Sequence, residues 1–200
     1  MSELKIFKKA KTETRKRTEM EEKEALSNDL LQLTLTRRSI RRYTKEPIDD
    51  KIIDEIMKVA LTAPSSFGHR PVEFVVVRDK SVIRELASCK SYGGSQILQA
   101  DVVIVVMVNM ENGEFWIEDG AIASSYILLA AEQYGLGACW VQIRNRDGKR
   151  KTSDEEIREV LGIPNNYSVL NWVSLGNKAQ TKSAYSLSDY DFSKIHYEHY

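Results

Sequence analysis

The chain is short of several features, and each shortage excludes a class of protein. It has two cysteines in 200 residues, Cys89 and Cys139. Two cysteines are too few for a disulfide framework or a multi-cysteine metal site, and we expect no bound metal. The 29 basic and 29 acidic residues cancel, so no global electric field attracts nucleic acid or an anionic membrane. We therefore expect neither as a partner.

Long apolar runs are also missing. The longest is Asp101–Val108, DVVIVVMV, far below the ~20 residues of a membrane-spanning helix. The N-terminus has no apolar stretch of the kind that secretory signals carry. We therefore expect a cytoplasmic protein. Its 42% of hydrophobic and 29% of charged residues are typical of a globular chain.

The first 25 residues differ in texture from the rest. Seven basic residues lie between Lys5 and Arg17, and four glutamates follow between Glu19 and Glu24. Such a charge block is usually a solvated helix or a frayed tail. A nucleic-acid-binding arm is the alternative, which we disfavour because acidic residues follow at once. We predict a charged extension at residues 1–25 and one domain at residues 26–200.

Periodicity within the domain predicts helices alternating with about four strands. We expect helices near 28–36, 49–63, 81–89, 115–134 and 153–161, and strands near 72–77, 102–108, 138–143 and 168–175. The strand at 102–108 lacks alternation, so both of its faces should be covered. The helix at 115–134 is apolar almost all round and should be central. We expect Ser153 to cap the last helix, with Glu156 completing a capping box.

An arginine-rich stretch offers the first chemical signal. Residues 37–43 read RRSIRRY, with four arginines around a serine just after a helix. Guanidinium groups present a rigid fork of donors that suits phosphate, and a serine hydroxyl adds a neutral donor. A basic helix terminus that faces water is the plainer alternative. We call residues 37–42 the arginine segment.

A second stretch joins a helix to a strand. Residues 63–71 read APSSFGHRP, and two prolines bracket small and polar residues. Prolines lower the entropy lost on ordering, so such a loop is well suited to presenting backbone and hydroxyl donors. A plain connector is the alternative. We call residues 63–71 the proline loop.

These two stretches resemble the nitroreductase family of FMN-dependent flavoproteins that use NADH or NADPH. The resemblance continues through Asp119-Gly120-Ala121, GLGACWV at 135–141, LGIP at 161–164 and the ending IHYEHY. Each motif alone is weak, but their order and spacing over residues 28–200 are specific.

The resemblance implies an α+β fold. Helices would lie on both sides of a central, mostly antiparallel sheet, in three layers with a long central helix. Two chains would form a homodimer in which a C-terminal extension embraces the partner. Two FMN sites would lie in the interface, each built from both chains.

The resemblance also implies roles for particular residues. Arg37, Arg38 and Ser39 would hold the FMN phosphate and ribityl chain, and Arg41 would lie near the N1 and C2 carbonyl edge of the ring. Pro64, Ser65 and Ser66 would approach from the partner chain, where Gly68 and Arg70 replace the Asn and Gln common in the family. A backbone N–H near Gln142, Ile143 and Arg144 would face the flavin N5. Lys182 would be a basic phosphate ligand.

The implied function is hydride transfer from NAD(P)H through flavin N5 to a nitroaromatic, quinone or similar electron-poor acceptor. The absence of a G-x-G-x-x-G motif argues against a separate dinucleotide domain, so donor and acceptor would share one flavin face in a ping-pong sequence. Because the flavin carries the chemistry, we expect no catalytic side chain and only electrostatic support from Arg41. The alternatives are a reductive dehalogenase, an enone reductase, and a non-catalytic FMN-binding regulatory module.

Overall fold

A computed structural model describes residues 29–200. The charged extension predicted for residues 1–25, and Asn28, lie outside the described residues. The chain divides into two compact units. One unit is Arg37–Ser183, and the described residues of the other are 29–36 and 184–200.

Helices and strands alternate along the described residues as the periodicity predicts. In chain order they are α1 (Asp29–Thr36), α2 (Asp50–Leu61), β1 (Val72–Val77), α3 (Lys80–Ser88), β2 (Val102–Asn109), α4 (Trp116–Gln133), β3 (Leu136–Gln142), α5 (Ser153–Leu161) and β4 (Tyr167–Asn177). Most boundaries lie within two residues of the prediction. Helix α2 begins later because Asp49 is its N-cap and accepts from the Lys51 N–H at 2.9 Å.

The four strands form one sheet in the order β1-β2-β4-β3, and every neighbouring pair is antiparallel. This confirms the predicted α+β class with an antiparallel sheet. Strands β1 and β3 are the two edges of the sheet. The outer side of β3 therefore carries backbone groups that have no neighbouring strand among the described residues.

Strand β2 is covered on both faces, as its lack of alternation predicts. Val103, Val105 and Met107 belong to a core that includes residues of α3 and α5. Val102, Ile104 and Val106 belong to a second core with residues of α2 and α4. The unit 37–183 is thus a three-layer sandwich. Each fully buried aliphatic side chain contributes about 1.5–3 kcal/mol to its stability.

Helix α4 packs against α2 and β3. Its buried positions are mostly small: Asp119, Gly120, Ala123, Ser124, Ile127, Ala130 and Ala131. Ile122 and Ser125 are exposed, so one face of this apolar helix stays uncovered within a single chain. The prediction of a central helix is confirmed by its contacts with α2 and β3, and its other face is exposed in the single chain.

The predicted cap of α5 is wrong by one residue. Thr152 is the N-cap and accepts from the Glu155 N–H, while the Glu155 carboxylate accepts from the Thr152 N–H at 3.0 Å. Ser153 and Glu156 are buried instead. Glu156 accepts from the backbone of Arg150 and Lys151. Both T-x-x-E and S-x-x-E patterns occur here in adjacent register, so local spacing could not separate them.

Residues 184–200 form two short 3-10 turns and no longer element. Large side chains there are exposed, including Phe192, Ile195, Tyr197 and Tyr200. Within this unit, the Tyr185 N–H donates to the Leu35 carbonyl at 2.9 Å. No helix among residues 29–200 is both long enough and apolar enough to cross a bilayer.

Candidate functional site

The arginine segment lies on the outer edge of β3. Ser39 forms a parallel bridge with Ala138, and the Ile40 N–H donates to the Ala138 carbonyl at 2.9 Å. Ile40 is 2% exposed. Because Ile40 and Tyr43 point into the core, the arginines beside them are left half-buried or exposed.

Two glycines let the segment approach this closely. A Cβ built on Gly137 would lie 2.6 Å from the Ile40 side chain, and one built on Gly176 would lie 2.6 Å from the Tyr43 ring. The Tyr43 hydroxyl donates to the Ile40 carbonyl at 2.7 Å and also meets Ser174. Burial raises the pKa of Tyr43 above its usual range, so this hydroxyl keeps its proton.

The charges of three residues predicted to bind FMN act on one thiol. Burial raises the pKa of the Cys139 thiol, and the positive charges of Arg41, Lys182 and Arg37 oppose that rise. These cations come from distant parts of the sequence, and all three charges act on this thiol of β3. Within residues 29–200 none of the three forms an ion pair. We call Arg37, Arg41 and Lys182 the cation cluster.

Arg38 has a different position. Its guanidinium donates to the Ser183 carbonyl, and so joins the arginine segment to the residue that follows Lys182. Lys182 therefore belongs to the cluster because its neighbour, Ser183, is hydrogen-bonded to the arginine segment. Sequence spacing alone does not indicate that Lys182 and the arginine segment are neighbours in the fold.

The proline loop is held by a buried carboxylate. Asp119 in the first turn of α4 is 2% exposed and accepts from the Ser66 N–H at 2.9 Å and its hydroxyl at 3.3 Å. The Ser65 hydroxyl accepts from the Arg70 N–H at 2.8 Å. Pro64, Gly68 and Arg70 are exposed. The Ser65 and Ser66 side chains therefore stabilise the conformation of the loop itself.

The residues at the end of β3 and just after it differ in whether their backbone N–H groups are free. The N–H groups of Ile143 and Arg144 both donate to the Leu170 carbonyl, at 3.1 and 3.0 Å. In an antiparallel pair, the residue next to a hydrogen-bonded one points its N–H and C=O away from the facing strand. Gln142 is that residue, so its backbone faces the open edge.

A second contact agrees with this orientation. The Lys90 ammonium donates to the Gln142 carbonyl at 2.7 Å from outside the sheet. The Gln142 side chain is also ordered: it accepts from the Trp140 indole N–H at 2.9 Å and donates to the Arg144 carbonyl at 3.2 Å. The Gln142 N–H is the group of the three that remains available to a ligand.

A cavity of about 510 Å³ opens along this edge. We call it the edge cavity. Its lining residues are Arg41, Lys90, Ser91, Tyr92, Gly93, Gln96, Trp140, Val141, Gln142, Asn145, Arg146 and Asp147. The Arg41 Nε donates to the Gln96 side-chain oxygen at 3.3 Å, which holds the guanidinium at the cavity wall.

Sequence reasoning missed several of these lining residues, notably Lys90, Gln96 and Arg146. The signal that could have indicated them is the glycine pair after α3. Gly93 has φ of 77°, and a Cβ on Gly94 would lie 2.0 Å from the Ala87 carbonyl oxygen. Glycine is required where the chain turns back this tightly, and that turn carries Tyr92 and Gln96 to the cavity.

The proline loop and the arginine segment lie at different places along β3. Arg144 stacks on the Trp116 ring, 5.7 Å from its centre, at the start of α4. Asp119, which holds the loop, is in the same turn. Ala138 precedes the end of β3 at Gln142 by four residues, about 13 Å of extended strand. Among the described residues that line the edge cavity, none belongs to the proline loop.

The fold and the site together define an α+β protein. Its cation cluster, which forms no ion pair within residues 29–200, lies beside the edge cavity. The family model "Nitroreductase family" matches residues 34–106 and 90–177. The chain belongs to the nitroreductase family.

Individual relatives agree with this assignment. A protein of Archaeoglobus fulgidus, provisionally named NADH dehydrogenase/NAD(P)H nitroreductase, is 34% identical over 175 residues, covering 85% of this chain and 98% of the relative. An FMN-dependent nitroreductase structure from Clostridium difficile R20291 matches with a TM-score of 0.81 and 41% identity, covering 84% of this chain and 98% of the other. A Desulfovibrio desulfuricans nitroreductase solved in complex with FMN matches with a TM-score of 0.66 and 28% identity, covering 82% and 95%.

Proposed function

We propose that this chain is an FMN-dependent oxidoreductase that takes hydride from NADH or NADPH and reduces a nitroaromatic, quinone or similar electron-poor acceptor. The observation that carries the proposal is the cation cluster beside the edge cavity. The cofactor prediction is confirmed by relatives described as FMN-dependent and as solved with FMN. When bound, FMN would accept hydride at N5 and then transfer it to the acceptor in a ping-pong sequence.

The residues present fit a flavin mononucleotide. A phosphate needs several charge-assisted donors, and Arg37 and Lys182 supply them without a competing carboxylate among the described residues. Ser39 lies on the same strand edge and would add a hydroxyl toward the phosphate or ribityl chain. Arg38 would contribute from its position against Ser183.

Arg41 would supply positive charge near the pyrimidine edge of the flavin. It belongs to both the cation cluster and the wall of the edge cavity, so it bridges the two ends of the site. A cation there favours the reduced, anionic form of the ring electrostatically.

The Gln142 N–H would be the backbone donor that faces N5. The prediction named Gln142, Ile143 and Arg144 together. The N–H groups of Ile143 and Arg144 already donate to the Leu170 carbonyl. Gln142 also faces the cavity with a carbonyl already bonded to Lys90. Its N–H is thus held in a fixed direction on the open edge.

The proline loop would complete the site from a second copy of the chain, in a homodimer. One observation supports this: no described residue of the loop lines the edge cavity. Pro64, Ser65, Ser66, Gly68 and Arg70 would then contact the partner's flavin. The aromatic residues of 184–200 offer exposed surface that suits an extension around the partner.

The test compares FMN with riboflavin, which lacks the phosphate. Arg37→Ala should weaken FMN binding about 10- to 100-fold, the loss of one charged hydrogen bond, and leave riboflavin binding unchanged. Arg42→Ala is the matched control, because Arg42 is an exposed arginine of the same segment with no proposed ligand.

Equal loss of FMN and riboflavin in Arg37→Ala would contradict the phosphate assignment. The enzyme activity is tested separately on the purified, FMN-loaded chain. NADH added without oxygen should bleach the flavin absorbance, and a quinone should restore it. A flavin that stays oxidised in NADH and NADPH would instead identify a non-catalytic FMN-binding module.

A further inference from the structure

The edge cavity contains more positive than negative charge. Its described lining includes the cations Arg41, Lys90 and Arg146 and one acidic residue, Asp147. The backbone carbonyl of Asp147 accepts from Ser91 at 3.0 Å. Arg41 is already part of the cation cluster, which leaves Lys90 and Arg146 without a role in the cofactor site proposed above.

Lys90 is a buried lysine that is only partly satisfied. It is 8% exposed, and its ammonium makes one described hydrogen bond, to the Gln142 carbonyl. An ammonium has three protons, so two lack an acceptor among residues 29–200. A buried cation destabilises the fold unless it is paired, and an oxyanion in the cavity would pair with this one.

Arg146 and Lys90 line the same cavity. Burial lowers the pKa of Lys90, and the positive charge of Arg146 lowers it further. The backbone of Arg146 is fixed on both sides: its N–H donates to Ile143 and its carbonyl accepts from Ser153, at 3.0 and 2.9 Å. Two like charges held together at a cavity wall are stabilised by an anion that contacts both.

We propose that Lys90 and Arg146 form an anion subsite in the edge cavity, which binds a carboxylate or phosphate group of the substrate that exchanges hydride there. The inference rests on the proposed function and deepens it by naming the substrate class.

The subsite is separate from the cofactor's phosphate site. The cation cluster surrounds Cys139, whereas Lys90 contacts Gln142, three residues further along β3. Three residues of extended strand span about 10 Å. Arg37 and Lys182, the cations proposed for the cofactor's phosphate, do not line the edge cavity, whereas Lys90 and Arg146 do.

The experiment uses the FMN-loaded full chain and two matched pairs of probes. One pair is 4-nitrobenzoate and 4-nitrobenzamide, which differ by a negative charge. The other pair is NADP⁺ and NAD⁺, which differ by a phosphate. Binding to the oxidised protein is measured by the change in flavin absorbance, and KM is measured for the nitro compounds and for NADPH and NADH.

Lys90→Met and Arg146→Gln should each weaken at least one anionic probe about tenfold, the loss of one charge-assisted contact. The neutral or phosphate-free counterpart should change less than about twofold by the same reasoning. A change confined to 4-nitrobenzoate assigns the subsite to an acidic acceptor. A change confined to NADP⁺ assigns it to the donor's phosphate.

Two further variants complete the test. Lys90→Arg keeps the charge and should retain most of the preference for the anionic probe. Lys45→Met removes an exposed cation that does not line the cavity and should change neither pair. If Lys90→Met does not fold, Arg146→Gln still gives the result, because the Arg146 side chain is exposed.

Equal effects on the charged and neutral members of both pairs would overturn the subsite. In that case retained FMN and NADH-dependent bleaching would show that the proposed function stands without it. Selective loss of FMN relative to riboflavin in Lys90→Met would also overturn the proposal, because Lys90 would then hold the cofactor's phosphate.

Discussion

The arginine segment and the proline loop are held in place in opposite ways. The arginine segment is held by its backbone: Ile40 bonds to Ala138, Thr44 to Asn177 and Ala179 to Arg42, at 2.9 to 3.0 Å. The proline loop is held by side chains, chiefly the Asp119 carboxylate on Ser66. It also contains three residues with positive φ: Phe67, Gly68 and Arg70.

This difference separates binding from stability. Where the backbone and two core residues hold a segment, a charged side chain such as that of Arg37 can serve a ligand, and its removal should change binding alone. Where one buried carboxylate holds a loop, its removal leaves a backbone N–H without a partner. Both stability and binding should then change.

The largest expected effect tests whether the two regions serve one flavin in different chains. Arg37→Ala and Asp119→Ala should each lose most FMN as homodimers. Mixing and refolding the two variants should restore FMN to roughly a quarter of the sites, because half of the dimers are mixed and each carries one intact site. Bound FMN is measured after gel filtration.

Two results would decide against this arrangement. If mixing restores no FMN while mass analysis shows mixed dimers, the segment and loop of a single chain serve the same flavin. If the purified protein scatters light as a monomer at micromolar concentration, the dimer itself is wrong. Mixing each variant with itself is the matched control.

Gly176→Ala adds one methyl group and should strongly destabilise the packing of the arginine segment. The new Cβ would lie 2.6 Å from the Tyr43 ring, and overpacking of this kind costs about 3 kcal/mol. Urea unfolding should show the loss. Gly135→Ala is a useful comparison: its φ is 71° but no atom lies within 4 Å of the added Cβ. Its cost should therefore be about 1 kcal/mol of backbone strain. Equal losses in both variants would contradict the packing argument.

Asp119→Ala should lower the free energy of unfolding by about 2 kcal/mol, because the Ser66 N–H loses its acceptor and stays half-buried. Asp119→Asn keeps one oxygen for the same bond and should recover much of the loss. The midpoint of urea unfolding measures both. Arg37→Ala should leave this midpoint unchanged, and a fall equal to that of Asp119→Ala would remove the distinction between the two regions.

The smallest expected effect concerns Cys139 and alkaline pH. Burial raises the pKa of its thiol above the ordinary value of 9.0, so the folded state holds that proton more tightly than the unfolded state. The resulting stability is fully present below pH 9 and is lost as the pH rises further. Cys139→Ala should lose less stability than the wild type above pH 9. Arg41→Ala should lose more, since a charge that opposes the shift is gone.

Local patterns predicted most elements and singled out the arginine segment as a candidate site. Apolar periodicity is a property of neighbouring residues, so it located β2, α2 and α4 closely. The arginine segment stood out because its composition differs from the rest of the chain. The α5 cap was misplaced because two capping patterns overlap by one residue. Only the hydrogen bonds of the folded chain distinguish Thr152 from Ser153.

The site residues that escaped prediction share a physical reason. Lys90 and Arg146 are an ordinary lysine and arginine in the sequence, and neither lies in a motif. Their significance depends on the return of the chain after the Gly93-Gly94 turn and on the edge position of β3. Contacts between residues more than fifty positions apart, such as Lys90 with Gln142, leave no trace in local spacing.

The sequence by itself determined the alternation of helices and strands, the antiparallel α+β class through its family motifs, and the arginines that suit a phosphate. The tertiary structure decided which backbone groups remain free. Pairing of Ile143 and Arg144 with Leu170 uses their N–H groups and leaves Gln142 on the open edge. That outcome depends on strand register, which is fixed by the side chains that each strand buries in the folded chain.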